Sequence, residues 1–203
     1  MITPKLILDS IISPKLVFQR IIKFEIKLSV LVEATIFIAL VNAIFSYISN
    51  YLIYSNNIDE ENLYSLYYVN VLNKPLLLVF LEVFKILFIT CIITYIGKFF
   101  GGKGSFTNLL KCVVWIHFIL IFINCFLFIS IFLSSYLSGY LVMMANIWII
   151  WVLSECAARA HGFKSTFLVF ILGIIILIVF MALILQILNS NDIIFLERVG
   201  SNA

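Results

Sequence analysis

Charged residues are scarce in this sequence. Of its 203 residues, 11% are Asp, Glu, Lys or Arg, while 64% are hydrophobic. A soluble domain has about 25% charged and about 45–50% apolar residues, so this composition excludes a water-soluble fold. Because each membrane crossing uses roughly 20 residues, the length fits one membrane domain with short connections.

The sequence also lacks the spacings that identify metal sites and active sites. It contains no C-x-x-C, no H-E-x-x-H and no nucleophile elbow. We therefore predict no enzymatic activity, no cofactor and no bound metal. The chain has four cysteines, which we expect to be reduced and buried: Cys91, Cys112, Cys125 and Cys156.

Long apolar runs are what the sequence does contain. One of them, Leu109–Leu153, is more than twice as long as the hydrocarbon thickness when it is built as a helix. It must cross twice, and Leu133–Gly139 carries the serines and glycine of a turn. We predict an all-α integral membrane bundle of five transmembrane helices. The predicted spans are residues 28–50, 75–96, 108–132, 140–157 and 166–188.

The positive charges are divided unevenly between the two sides of these spans. Loops rich in Lys and Arg face the cytoplasm, which predicts a cytoplasmic N-terminus and an external C-terminus. The predicted divisions are a cytoplasmic segment 1–27, a membrane domain 28–188 and a short external tail 189–203. The poorer side holds Lys74 and Arg198. The richer side holds Lys5, Lys15, Arg20, Lys23, Lys27, Lys98, Lys103, Lys111, Arg159 and Lys164.

The segment before the first span has the pattern of a short amphipathic helix. Ser13 and Pro14 are typical of a helix start, and Val17, Ile21 and Phe24 recur at helical spacing. Two placements fit: the helix lies on the inner leaflet, or it packs against the cytoplasmic end of the bundle. The candidates for contact with lipid or a partner are Lys15, Arg20, Lys23, Lys98 and Lys103.

The loop Gly97–Phe106 invites comparison with a phosphate-binding loop, since Gly97, Gly102 and Lys103 fit G-x-x-x-x-G-K. The next residue is Gly104, however, where Ser or Thr would ligate magnesium, and a membrane span precedes the loop in place of a strand. We predict instead that Gly101, Gly102 and Gly104 allow a sharp turn. The lysines expected at headgroup level are Lys98, Lys103 and Lys111.

Several polar residues lie inside the predicted spans. Lys85 is about 15 Å along its helix, where an unpaired charge is costly, so we expect it to pair with Glu82. His117 and Asn124 share a helix face, and Asn146 follows in the next span. Such residues ordinarily make interhelical hydrogen bonds. Glu82 and Lys85 have two interpretations, a structural pair or part of an ion or proton path.

A further polar group stands at the end of the fourth span. Glu155, Cys156 and His161 are close in sequence, and Cys112 and His117 could approach from the third span. The spacings are not those of a strong metal site, so we predict none. The residues that we assign to a cytoplasmic loop motif are Gly97, Gly101, Gly102, Gly104, Glu155, His161 and Gly162.

Three segments carry a resemblance to a known family: Ser13–Ile22, Gly97–Trp115 and Ala160–Ser165. They resemble the Yip domain proteins, multispan membrane proteins named for interaction with Ypt/Rab-type GTPases, and in particular the short bacterial members. The resemblance covers about residues 10 to 188. It implies a five-span membrane domain with a cytoplasmic N-terminus, and it carries over no catalytic residue.

The residues and the resemblance together favour a non-enzymatic protein of a bacterial inner membrane that organises lipid or partner membrane proteins. The expected partners are the lipid bilayer and other membrane proteins or a second copy. Nucleic acid is not expected, nor is a Rab-type GTPase, because only about 27 residues precede the first span. The alternative is a small ion or solute transporter that uses Glu82, Lys85, His117 and Asn124.

Overall fold

The computed structural model describes residues 4–54 and 74–200, and within these ranges it contains helices and no strand. Five of the helices are long and apolar enough to cross a membrane, which confirms the predicted all-α bundle of five spans. Two shorter helices precede them. In chain order the helices are α1 (Pro4–Ile12), α2 (Pro14–Lys23), α3 (Leu28–Tyr54), α4 (Pro75–Phe99), α5 (Phe106–Leu133), α6 (Ser135–His161) and α7 (Thr166–Gly200).

The buried core surrounds the first half of α5. This helix packs against α2, α3, α4 and α6. One apolar cluster joins α2, α5 and α6 and includes Phe18, Ile116 and Val152. A second cluster joins α3, α4 and α5 and includes Ile86 and Val113. Both clusters lie in the half of the bundle where α5 begins.

The bundle has two ends, which we name by their residues. At the glycine end, α4 and α6 terminate beside the starts of α5 and α7, and the loop between α4 and α5 contains three glycines. The start of α3 is also there, because Leu31 packs in one cluster with Leu110. At the serine end, α5 and α6 are joined through Ser134.

The connection between α5 and α6 is a single residue, so the predicted turn at Leu133–Gly139 is wrong in its extent. Ser134 has extended backbone (φ −169°, ψ 133°), and α6 begins at the next residue. The side chain of Ser134 accepts a hydrogen bond of 3.4 Å from the backbone N–H of Leu137. A single serine can connect the two helices because it both terminates α5 and caps α6. As a result, α6 is longer than the predicted span 140–157 at both ends.

The two helices before the first span, α1 and α2, form a hairpin around Ser13, which we call the N-terminal hairpin. Val17, Phe18 and Ile21 of α2 are buried against α5 and α6, so the apolar face packs on the bundle, the second of the two predicted placements. The prediction that Phe24 belongs to this face is wrong, since Phe24 is 56% exposed. The reason is that α2 ends at Lys23 and the backbone of Phe24 is already extended.

The N-terminal hairpin lies along the flank of the bundle. The indole Nε1 of Trp115 donates to Ser10 Oγ at 2.9 Å, and Nε1 of Trp148 donates to the carbonyl of Ile11 at 3.4 Å. Trp148 is equally far from both ends of α6, about 20 Å from each at 1.5 Å per residue. The turn of the hairpin therefore reaches the level of the middle of α6.

The last helix, α7, lies at the periphery and packs chiefly against α6. No residue of its most apolar stretch, Thr166–Leu183, is buried. Such a surface suits contact with lipid, which is as apolar as the side chains themselves. The helix continues to Gly200, past residue 188, where the predicted fifth span ends and the predicted tail begins.

Candidate functional site

His161 holds the loop between α4 and α5 at the glycine end, in an arrangement that we call the histidine clasp. A Cβ added at Gly97, Gly102 or Gly104 would lie within 3.0 Å of atoms of the His161 ring. Close approach to the ring thus explains these three glycines, rather than the sharp turn that was predicted for Gly102 and Gly104. The left-handed backbone of the turn occurs at Gly101, where φ is +81°.

Hydrogen bonds determine which nitrogen of His161 carries the proton. The backbone N–H of Gly104 donates to Nδ1 at 3.1 Å. Nε2 lies 3.1 Å from the carbonyl oxygen of Ile93, which can only accept. The ring is therefore neutral, with its proton on Nε2. Since the backbone N–H of Lys103 also donates to the carbonyl of His161 at 3.1 Å, the clasp joins α4, the loop and α6.

The other members of the predicted group at the end of α6 have different partners. Glu155 is buried, and its Oε1 accepts a hydrogen bond of 2.8 Å from Nε of Arg159. Arg159 also donates to Thr166 Oγ1 at 3.0 Å, which ties α6 to the start of α7. Cys156 instead belongs to the apolar cluster. Within residues 4–54 and 74–200, no three His, Cys, Asp or Glu side chains are placed to hold a metal ion.

Lys111 attaches the N-terminal hairpin to α5, although the sequence pattern predicts it at headgroup level. It is only 8% exposed. Its Nζ donates to the carbonyl of Ile22 at 2.8 Å and to the carbonyl of Phe24 at 2.9 Å. These are the unpaired carbonyls that the end of α2 leaves, so the lysine is buried as their hydrogen-bond donor. The side chains of Lys98 and Lys103 are exposed.

The cysteines are all free thiols, but they are not all buried as predicted. Cys112 and Cys156 are buried in the cluster between α2, α5 and α6. Cys91 is half-buried, and Cys125 is exposed on the surface of α5. Cys125 differs because it follows the half of α5 that neighbouring helices enclose.

A polar cavity of about 410 Å³ lies among α3, α4, α5 and α6 in the serine half of the bundle. All five intramembrane polar residues singled out from the sequence line it, although they come from three helices. They are Glu82, Lys85, His117, Asn124 and Asn146. The cavity thus brings together residues that the sequence shows only as separate features.

Glu82 and Lys85 form the predicted i,i+3 pair inside this cavity. Lys85 Nζ lies 2.7 Å from Oε1 and 2.6 Å from Oε2 of Glu82. Nζ donates a hydrogen bond to Oε1, and the buried Oε2 is in ion-pair contact with the same nitrogen. The side chain of Lys85 is 48% exposed. The pair is therefore accessible from the cavity rather than enclosed by packing.

The asparagine side chains and His117 make further hydrogen bonds near the ion pair. Asn124 Nδ2 donates to Asn42 Oδ1 at 3.2 Å, and Asn42 Nδ2 donates to the carbonyl of His117 at 3.4 Å. His117 Nδ1 lies 2.9 Å from the carbonyl of Val113, so it must be the donor. Asn146 donates within its own helix to Val142. These bonds hold α3 to α5 beside the ion pair.

Four further polar residues, which the sequence did not single out, also line the cavity. They are Asn42, Ser46 and Ser49 of α3 and Ser138 of α6. A signal was present for the first three, because positions i, i+4 and i+7 lie on one face of a helix. Ser138 fell within the stretch that was predicted to be a turn, so its place on a helix face could not be seen.

The comparison with known families agrees with this architecture. The model of the Yip1 domain matches residues 8–187, which contain both the histidine clasp and the polar cavity. No curated protein and no solved structure matches the chain. The matched region covers most of the N-terminal hairpin and the membrane-spanning part of the bundle. The chain is therefore an integral membrane protein that belongs to the Yip1 domain family.

Proposed function

We propose that this protein is a non-enzymatic member of the family that organises anionic membrane lipid at its glycine end. The observation that carries the proposal is the outward face of the N-terminal hairpin. Lys15, Arg20 and Lys23 are exposed on α2, together with Leu16, while the opposite face is packed on the bundle. Cationic side chains next to exposed apolar ones are typical of a segment that lies in the membrane interface and binds anionic headgroups.

The glycine end is proposed to face the cytoplasm. It carries Lys98, Lys103, Arg159 and Lys164 in addition to the cations of the hairpin, whereas Lys74 lies at the serine end. An excess of Lys and Arg in short loops marks the cytoplasmic side. In a bacterium this arrangement would be that of an inner-membrane protein with its N-terminus inside.

The depth of the hairpin is compatible with this proposal. Glu33 is exposed on α3 only five residues after Leu28, about 8 Å from the glycine end. An exposed carboxylate there suits headgroup level rather than hydrocarbon. The hairpin turn, about 20 Å from the glycine end, would then lie about 12 Å deeper than Glu33. Arg20 and Lys23, farther along α2 toward the glycine end, are therefore the cations nearest the headgroups, and the long side chain of Lys15 would extend toward them.

A transporter is less well supported by the geometry. The polar cavity is lined mainly by residues of the serine half, and the apolar cluster that includes Ile38, Ile86 and Val113 lies between it and the glycine end. An ion crossing that cluster would lose its hydration without gaining a polar partner. The arrangement therefore suits binding from one side better than passage through the bundle.

Quenching of tryptophan fluorescence by brominated lipid tests the proposal, because Trp115 and Trp148 contact the hairpin. The protein is reconstituted in phosphatidylcholine vesicles with increasing brominated phosphatidylglycerol. We expect stronger quenching than with brominated phosphatidylcholine. Each cation near an anionic surface is worth about 1 kcal/mol, so the triple change Lys15→Gln, Arg20→Gln, Lys23→Gln is expected to weaken the preference about tenfold or more.

The change Lys74→Gln at the serine end is the control, and it is expected to keep the preference for the anionic lipid. Equal quenching by the two brominated lipids in the unchanged protein would show that the hairpin does not select anionic lipid. A concentration-dependent change in oligomeric state caused by the same triple substitution would instead assign this face to a second copy of the chain.

A further inference from the structure

The polar cavity is electrically balanced and holds both signs of charge. Glu82 and Lys85 are paired there, and no other charged side chain of the described residues lines it. A cavity that selected simple anions or simple cations would be expected to carry an excess of one charge. A ligand with both an ammonium group and an anionic group could instead bind each member of the pair at once.

The cavity also has two kinds of wall. About half of its lining side chains are apolar, among them Leu120, Ile123 and Leu127 along α5. The polar half includes Asn42, Asn124 and Asn146. A wall of this composition matches an amphiphile, with a polar headgroup and an acyl chain, better than a small hydrophilic solute.

Polar side chains that line the cavity occur at several levels between the serine end and the ion pair. Ser138 lies one turn from the start of α6, and Ser49 lies near the end of α3. Asn42 and Lys85 each lie about 21 Å from the glycine end along their helices. Because helical side chains lean toward the N-terminus of their helix, Lys85 leans toward the serine end, which is where Glu82 meets it. A headgroup entering from that leaflet would need to descend about 10 Å to the level of Glu82 and about 15 Å to that of Lys85.

The exposure of the pair supports a role beyond packing. The side chain of Lys85 is 48% exposed, and Glu82 Oε2 is buried without accepting a hydrogen bond from any described residue. A charge within a membrane helix is costly unless it is paired and hydrogen-bonded. The Lys85 ammonium is thus open to an anionic group of a ligand, and the Glu82 side chain, which is 17% exposed, can be approached by a cationic one.

From these observations we propose that the cavity binds the headgroup of a zwitterionic phospholipid of the phosphatidylethanolamine type, drawn from the leaflet at the serine end. The ligand's primary ammonium donates to Glu82, and its phosphate accepts from Lys85. Its acyl chains lie along the apolar wall of α5. This site is separate from the proposed anionic-lipid face of the N-terminal hairpin, at the other half of the bundle.

The test measures lipid binding to the purified, delipidated full-length protein by native mass spectrometry. Phosphatidylethanolamine and phosphatidylcholine with identical acyl chains are the probes, since only the first has ammonium N–H donors. We expect the first to bind about tenfold more tightly, the size of effect that one charge-assisted hydrogen bond can give. Glu82→Gln is expected to reduce this discrimination, and Lys85→Met is expected to weaken both lipids.

Matched changes outside the cavity serve as controls. Glu33→Gln on α3 and Lys27→Met just before α3 remove the same charges from exposed positions and are expected to leave both affinities unchanged. The double change Glu82→Gln, Lys85→Met removes both charges without leaving one unpaired, so it tests the site if a single variant fails to fold. It is expected to lose discrimination between the two lipids.

Three results would overturn the proposal. The first is equal binding of the two lipids to the unchanged protein, which needs no variant. The second is unaltered discrimination in Glu82→Gln and in the double variant. The third is competition by water-soluble glycerophosphoethanolamine as strong as by the lipid, which would make the occupant a solute. An unchanged phosphatidylglycerol preference in the hairpin variant would count against the proposed function alone, so the two failures are distinguishable.

Discussion

At the scale of single residues, the histidine clasp shows why glycine recurs in the loop at the glycine end. His161 receives a hydrogen bond from the backbone of Gly104 and gives one to the carbonyl of Ile93. Those bonds are possible only if the ring lies against the backbone at Gly97 and Gly102, with no Cβ in the way. The glycines and the histidine are therefore one structural unit, although more than 50 residues separate them in sequence.

A double-mutant cycle tests this unit. Gly97→Ala is expected to destabilise the protein by about 1–3 kcal/mol, because its methyl group meets the imidazole of His161. His161→Ala is expected to cost about 2–4 kcal/mol through two lost hydrogen bonds and an unfilled space. In the His161→Ala background, Gly97→Ala should cost little. The measurement is the free energy of unfolding in mixed micelles.

Gly139→Ala is the matched control, since a Cβ at Gly139 meets nothing within 4 Å. We expect it to change stability equally in both backgrounds. If Gly97→Ala were equally destabilising with and without His161, the steric explanation of the clasp would be wrong. A coupling on the order of 1 kcal/mol or more is expected for residues in direct contact.

At the scale of helices, the N-terminal hairpin depends on a lysine that belongs to another element. Lys111 donates to two carbonyls at the end of α2, and each hydrogen bond to a charged group is worth about 1.5–3 kcal/mol. Lys111→Met keeps the apolar stem but removes the donor. We expect hydrogen exchange of the amides in α2 to accelerate about tenfold or more, while exchange in α5 changes little.

The exposed Lys98 of α4 supplies the comparison. Lys98→Met removes the same kind of cation from an exposed position, so exchange in α2 is expected to remain slow. Unchanged protection of α2 in Lys111→Met would mean that the apolar contacts of Phe18 and Ile21 hold the hairpin without help from the lysine.

The helices that cross the membrane could be predicted because their signal is a long apolar run, which has few other uses. The placement of α2 could not, because the same apolar stripe suits lipid and protein equally well. Ser134 shows a different limit: the serines and glycine of residues 133–139 are compatible with both a turn and a helix cap. The sequence pattern predicts a long turn, whereas a single extended residue, Ser134, connects the two helices.

The polar residues of the candidate site could be predicted from the sequence, but their position together in one cavity could not. Glu82 with Lys85, and His117 with Asn124, are visible in single helices because they follow helical spacing. These residues meet in one cavity because of how α3, α4, α5 and α6 pack together. The sequence of a single span does not contain that information. The burial of Lys111 could not be predicted for the same reason, since its hydrogen-bond acceptors are carbonyls at the end of α2.

At the scale of the whole molecule, the two halves of the bundle are built differently. The glycine half is closed by two apolar clusters, the clasp and the pair of Glu155 with Arg159. The serine half contains the polar cavity, between helices that the clasp holds together at their other ends. Rigidity at one end and an accessible polar interior at the other suit a protein that receives its ligand from one leaflet.

The orientation of these halves decides which leaflet that is. We expect Lys103→Cys, in the glycine-end loop, to resist a membrane-impermeant maleimide in intact bacterial cells and to react after the membrane is opened. Lys74→Cys, at the serine end, should react in intact cells, because an excess of Lys and Arg, as at the glycine end, marks the cytoplasmic side. The parent chain is the control, and its four thiols, which all lie within helices that can cross the membrane, should give little labelling. Labelling of Lys103→Cys in intact cells, with protection of Lys74→Cys, would invert the orientation. The cationic hairpin would then lie away from the negatively charged cytoplasmic leaflet that its proposed role requires.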